Sequence, residues 1–179
     1  MLFGLLKKCE PEDDAVLLLY PLIVEKARSP IFYQSLGVPD TVTGRFDMIV
    51  LHVVLLVNRL RGEGKTGAKL SQALFDRFFI DMDRALREKG VGDLSVPRHI
   101  KRMMQAFNGR REAYEQALAS EDDDILRDAI RRNLYGTVEN IPDDMVNHVV
   151  DYVKTCRKGL RRHSLNDFMA GRLLFAEVK

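Results

Sequence analysis

The stretch Thr41-Val42-Thr43-Gly44-Arg45-Phe46-Asp47-Met48-Ile49-Val50-Leu51-His52-Val53-Val54-Leu55-Leu56-Val57-Asn58-Arg59-Leu60-Arg61 decides the fold. Phe46, Ile49, Val50, Val53, Val57 and Leu60 recur at helical spacing and form one stripe. Leu51, Val54, Leu55 and Leu56 widen that stripe nearly all round. A helix apolar on every side has no face to offer water, so other elements must surround it. The apolar run from Met48 to Val57 holds ten residues and is interrupted by His52. A bilayer-spanning helix needs roughly 18–20 apolar residues, so the expected place of this helix is the centre of a protein core.

The flanking sequence carries helical rather than strand periodicity almost throughout, and the predicted fold class is all-α. A first helix is expected from about Pro11 to Arg28, with Pro11 in the first turn and Glu12, Asp13 and Asp14 facing the helix dipole. Pro21 is expected to kink or split it. Ser29-Pro30 opens a short element that Gly37-Val38-Pro39 ends. After the central helix, Gly62 and Gly64 predict a loop, and a third long helix runs from about Lys69 to Lys89 with Phe75, Phe78, Phe79, Met82 and Leu86 on one face. A fourth spans about Val96 to Ala119, a fifth opens at Ser120-Glu121-Asp122-Asp123 and ends near Tyr135-Gly136, and a sixth opens at Pro142-Asp143-Asp144. A last short helix is expected from Asn166 to Val178. No repeat or linker divides the chain, which reads as an N-terminal arm over residues 1–10 and one compact helical domain over 11–179.

Composition narrows the function classes. With 179 residues, 46% of them hydrophobic and 30% charged, the chain can bury a single substantial core without staples. A formal net charge of +2 announces neither nucleic acid nor membrane. Cys9 and Cys156 stand alone, without CxxC or Cys/His spacing, which suits a reducing compartment. Met1-Leu2-Phe3-Gly4-Leu5-Leu6-Lys7-Lys8 is too short in its apolar part for a signal peptide. Its apolar residues fit either shallow contact with an anionic membrane surface or an arm packed on the domain.

Patterns that carry chemistry are few in this sequence. A di-iron carboxylate bundle needs Glu-x-x-His motifs, and none occurs. Asp144, His148 and Asp151 share a helix face, but an acid near a helix start and a surface histidine give the same pattern. His52, among apolar neighbours, reads as a hydrogen-bonded core histidine or an interface residue. Asp76, Asp81 and Asp83 lie among arginines with no nucleophile, phosphate loop or metal set near them, and read as a charged outer face. Two basic tracts remain. Arg98, Lys101, Arg102, Arg110 and Arg111 occur between residues 98 and 111 with no acid among them, and Lys154, Arg157, Lys158 and Arg161 make a positive helical stripe. Such faces are solvated or contact RNA, acidic lipid or acidic protein.

The particular residues of one segment go further. Gly37-Val38-Pro39-Asp40-Thr41, Gly44-Arg45-Phe46-Asp47-Met48 and Leu51-His52 form an ordered block. It continues in Leu74-Phe75-Asp76, Phe79, Asp81-Met82-Asp83, Leu86-Arg87-Glu88, Gly90-Val91-Gly92-Asp93, Val96, Lys101, Met103, Phe107, Gly109-Arg110 and Ala113-Tyr114. This block resembles the hallmark region of the ubiquinol–cytochrome c chaperone family, in its compact bacterial form. The resemblance implies a non-catalytic assembly factor for the cytochrome bc1 complex, without cofactor or metal, cytoplasmic or peripheral at the inner membrane. It implies cytochrome b or an early assembly intermediate as partner, with ribosome association known for mitochondrial members. The expected partner-binding residues are Asp40, Thr41, Arg45, Asp47 and His52, with Asp81, Asp83, Arg87 and Asp93. The rival expectation is an RNA- or ribosome-binding factor using Arg98, Lys101, Arg102, Arg110, Lys154, Arg157, Lys158 and Arg161.

Overall fold

The computed structural model describes residues 10–120 and 122–178. The expected N-terminal arm, with Cys9, lies outside them except for Glu10. All regular structure among the described residues is helical, in the order α1 (Pro11–Ala27), α2 (Pro30–Gln34), α3 (Val42–Leu60), α4 (Gly64–Glu88), α5 (Val96–Ser120), α6 (Asp123–Leu134), α7 (Asp143–Leu160) and α8 (Leu165–Met169).

Helix α3 is the axis of the assembly. Every residue from Phe46 to Leu56 is buried, and α1, α4, α5, α6 and α7 all pack against it. Around it, α1 also lies on α4 and α8, α5 on α6, and α6 on α7. Phe46 and Phe78 meet with ring centroids 5.6 Å apart, and Phe107 of α5 packs on Phe78 at 5.4 Å. Burying each aliphatic or aromatic side chain of this kind contributes about 1.5–3 kcal/mol relative to exposure.

Caps set the boundaries. The Thr41 hydroxyl accepts the Gly44 N–H at 3.1 Å and starts α3. The Asp122 carboxylate accepts the Asp124 N–H at 2.8 Å and starts α6. At the end of α4, Gly90 takes φ +80°. There the Val91 N–H reaches the Leu86 carbonyl at 3.1 Å and the Gly90 N–H reaches Arg87 at 2.9 Å, a Schellman stop.

Three expectations are corrected. Pro21 does not split α1, which is one helix from Pro11 to Ala27; that proline lies on the exposed face, where an unmatched carbonyl can turn to water. Helix α4 begins at Gly64, not near Lys69, because its first turn is small and polar and apolar periodicity begins only at Leu70. The Asn166–Val178 segment is helical only over Leu165–Met169. Its stop is a second Schellman arrangement: the Arg172 N–H bonds Asp167 at 2.8 Å and the Gly171 N–H bonds Phe168 at 2.9 Å. The chain then runs on without regular structure and buries Phe175.

Candidate functional site at the start of the central helix

The loop from Gly37 into α3 is built by close contacts that explain its composition. Gly37 has φ +67°, a region other residues avoid, and a Cβ there would lie 3.0 Å from the Met145 sulfur. The Pro39 carbonyl accepts the Thr41 N–H at 2.9 Å and lies so near Gly44 that a Cβ there would sit 2.0 Å from its oxygen. Gly44→Ala should therefore displace this loop and cost on the order of 2 kcal/mol. The check is the urea midpoint, which should drop at unchanged slope; an unaltered midpoint would contradict this packing.

Asp40 and Arg45 stand on the outside of that loop, 2.6 Å apart and both about half exposed. The Arg45 guanidinium lies 5.7 Å from the centre of the Tyr33 ring. Its hydrogen bond holds the Asp40 carboxyl below the usual carboxylate range. Val42, one of the large apolar side chains most open to solvent, follows directly. The loop thus offers a fixed pair of opposite charges beside apolar surface.

Asp47 and His52 lie elsewhere, and this corrects the expectation that they are contact residues. Asp47 is 4% exposed and turned inward, where it meets Arg110 of α5 at 2.6 Å. Burial pushes its carboxyl up to about 6, with Arg110 opposing the shift. The Arg110 guanidinium also lies 5.7 Å from the centre of the Phe46 ring. The neighbouring Tyr114 hydroxyl is buried without a hydrogen-bond partner. His52 is wholly buried. Its Nδ1–H donates to the Met48 carbonyl at 2.7 Å, which leaves Nε2 to accept the Tyr152 hydroxyl at 2.7 Å. Phe175 closes on the ring edge at 4.9 Å. Burial pushes the imidazole down to about 4, so it is neutral. In this fold both are covered by neighbouring side chains, and each fixes the loop or the helix from within.

The second expected region is a separate cluster at the end of α4. Arg87 bonds Asp83 at 2.7 Å and pairs also with Asp93 beyond the helix end. Asp81 is mostly covered; it pairs with Arg84 and accepts the Tyr20 hydroxyl at 3.3 Å. Ile80 and Leu94, both strongly exposed, flank these charges.

The basic tracts are mostly exposed, with two members engaged in the fold. Arg98, Lys101 and Arg102 are exposed, but Arg110 points inward to Asp47. In the second set Lys154 is tied to Asp123 at 2.7 Å, Lys158 is exposed, and Arg157 and Arg161 line a cavity. Among the described residues no three His, Cys, Asp or Glu side chains gather as a metal site would require, and no helix is long and apolar enough to cross a membrane. The residues sequence reasoning missed are Tyr152, Phe175 and Tyr114 as members of polar or aromatic clusters. Only the placement of Tyr152 and Cys156 one turn apart on the inner face of α7 hinted at the first.

Residues 34–175 match the family model described as ubiquinol-cytochrome C chaperone. The chain is 32% identical over 147 residues to the mitochondrial protein CBP3 of Saccharomyces cerevisiae, covering 80% of this chain and 44% of that one. It is 25% identical over 140 residues to ubiquinol-cytochrome-c reductase complex assembly factor 1 of Xenopus laevis, covering 78% and 69% respectively. The chain thus spans less than half the length of the yeast relative. The crystal structure of the Cbp3 homolog from Brucella abortus aligns with a TM-score of 0.84 at 37% identity, covering 96% of this chain and 94% of that one.

Proposed function

Because the chain belongs to the ubiquinol–cytochrome c chaperone family, we propose that it is a non-catalytic assembly chaperone for the cytochrome bc1 complex. Its client is cytochrome b or an early intermediate that contains it, held by protein–protein contact. The observation that carries this reading is the alignment at 37% identity along 96% of the chain with the Brucella Cbp3 homolog, together with the family match over residues 34–175, which spans the loop and helices α3 to α8. The contact residues are Asp40, Thr41 and Arg45 on one side, and on the other exposed Arg87 and Asp93 with half-buried Asp83. Each cluster joins fixed charges to exposed apolar side chains, the mixture protein interfaces use for register and burial. The working unit is the helical body from residue 11 onward, acting as a peripheral protein at the cytoplasmic face of the inner membrane.

Deletion of the gene should lower the amount of assembled bc1 complex while its transcripts stay unchanged. Affinity capture from detergent-solubilised cells should bring down cytochrome b with the wild-type chain and several-fold less with Arg45→Asp. That substitution lies on an exposed ion pair, so the folded state should persist, which circular dichroism of the variant checks. Normal complex levels in the deletion strain would overturn the chaperone role. Equal capture by Arg45→Asp would remove the loop from the contact surface.

A further inference from the structure

The turn between α4 and α5 carries Leu94, which is 99% exposed. Arg98, Lys101 and Arg102 follow on α5, all of them exposed. Their spacing sets them opposite Val96, Met103 and Phe107, which α5 turns inward. None of the three cations enters a side-chain hydrogen bond or ion pair with another of the described residues. The acids before them in the chain are already answered: Glu88 lies 3.7 Å from Arg84, and Asp93 pairs with Arg87. No acid follows between Asp93 and Glu112.

Helix capping does not account for these cations. They occupy the first two turns of α5, the end at which the helix dipole favours acids, and no acid stands in the first turn. Like charges three and four residues apart also repel one another. Core packing does not account for Leu94, since almost none of it is covered. A chain with a net charge of only +2 thus gathers three unanswered cations behind a bare leucine.

We propose that this turn and the start of α5 form a contact surface for an anionic membrane. Leu94 enters the interfacial layer, and Arg98, Lys101 and Arg102 meet the lipid phosphates. A bilayer surface answers both features at once, with negative charge for the cations and apolar depth for the leucine. A nucleic-acid backbone answers the charge alone, and no Phe, Tyr or Trp stands between Phe79 and Phe107 to stack on bases. The inference deepens the reading of a peripheral assembly chaperone and rests on it. It brings the adjoining cluster of Asp83, Arg87 and Asp93 beside the bilayer.

The test is flotation of the full chain with phosphatidylcholine vesicles, with and without phosphatidylglycerol, at one fixed ionic strength. Binding should require phosphatidylglycerol. Arg98→Gln/Lys101→Gln/Arg102→Gln should weaken it about 100-fold, at roughly fivefold per cation. Leu94→Ser should weaken it about tenfold. Lys158→Gln/Arg161→Gln/Arg162→Gln removes the same charge around the end of α7 and should weaken binding by less than about fivefold. All the variants replace exposed side chains and should keep the helical circular dichroism of the wild type. Equal losses in the two triple variants would reduce the effect to net charge and overturn the surface, as would full binding by Leu94→Ser. Retention on single-stranded RNA without vesicle binding, lost in the first triple variant, would give the surface to nucleic acid and overturn the lipid assignment. Absence of vesicle binding overturns the surface alone, because the deletion strain tests the chaperone role separately.

Discussion

Replacing Arg110 by leucine should cost about 3–5 kcal/mol of folding stability, because it leaves a buried carboxylate without its counter-charge. Asp47 is 4% exposed and its nearest cation is Arg110 at 2.6 Å. With that guanidinium gone, the carboxyl must take up a proton or draw water into the core beside Phe46 and Tyr114. Asp47→Leu/Arg110→Leu should recover most of the loss, since apolar groups of similar volume commonly replace a buried ion pair at little cost. Chemical denaturation of the two variants and of Asp47→Leu gives the coupling directly. A single Arg110→Leu variant within about 1 kcal/mol of wild type would show that the pair is solvated and of no consequence for the core.

Stability between pH 4 and 6.5 should be governed by two buried groups with opposite slopes. The His52 imidazole titrates near 4 in the fold against an ordinary value of 6.5. The unfolded chain therefore binds the proton first, and stability falls as pH drops from 6.5 to 4, by about 3 kcal/mol in all. Asp47 has its carboxyl raised from 3.8 to about 6. Here the folded chain binds the proton first, so stability falls as pH rises from 3.8 to 6. Across pH 4 to 6 the two largely cancel in the wild type. His52→Gln should unmask the Asp47 slope and make the protein gain stability on acidification through that window, relative to wild type. Asp47→Asn should do the reverse and steepen the acid loss. Urea midpoints at pH 4, 5, 6 and 7 settle both, and parallel profiles for all three proteins would reject the two buried titrations as the cause.

What the sequence disclosed follows from what local chemistry can encode. The apolar circumference of residues 46–56 and the Schellman glycine after α4 are local signals, and those helices stand where the signals put them; the capping box read at Ser120 is in fact an Asp122 cap, with Ser120 the last residue of α5. The start of α4 was not legible, because Lys65-Thr66-Gly67-Ala68 carries no apolar stripe to date it. Nor was the end of the chain, where Leu173, Phe175 and Val178 look amphipathic but Gly171 takes φ +72° and ends the helix. The candidate site divides in the same way. Gly37, Pro39, Thr41 and Gly44 act on neighbours a few residues off, so their loop could be anticipated. The inward turn of Asp47, Arg110 and His52 could not, since each is decided by a partner on another helix; the bond from His52 to Tyr152 spans 100 positions of sequence.

That span has a consequence for how the molecule comes into being. Helix α3 is covered partly by its sequence neighbours α4 and α5 and partly by α6 and α7, and Arg59 near its end bonds a carbonyl 101 positions away. No contiguous half of the chain can bury it. Loops of that length must close before the contacts that reward them exist, which raises contact order and slows a helical protein that would otherwise fold quickly. Until α7 arrives, one side of an almost wholly apolar helix faces water. A protein proposed to hold an assembling client is itself, while nascent, a chain with an exposed apolar helix.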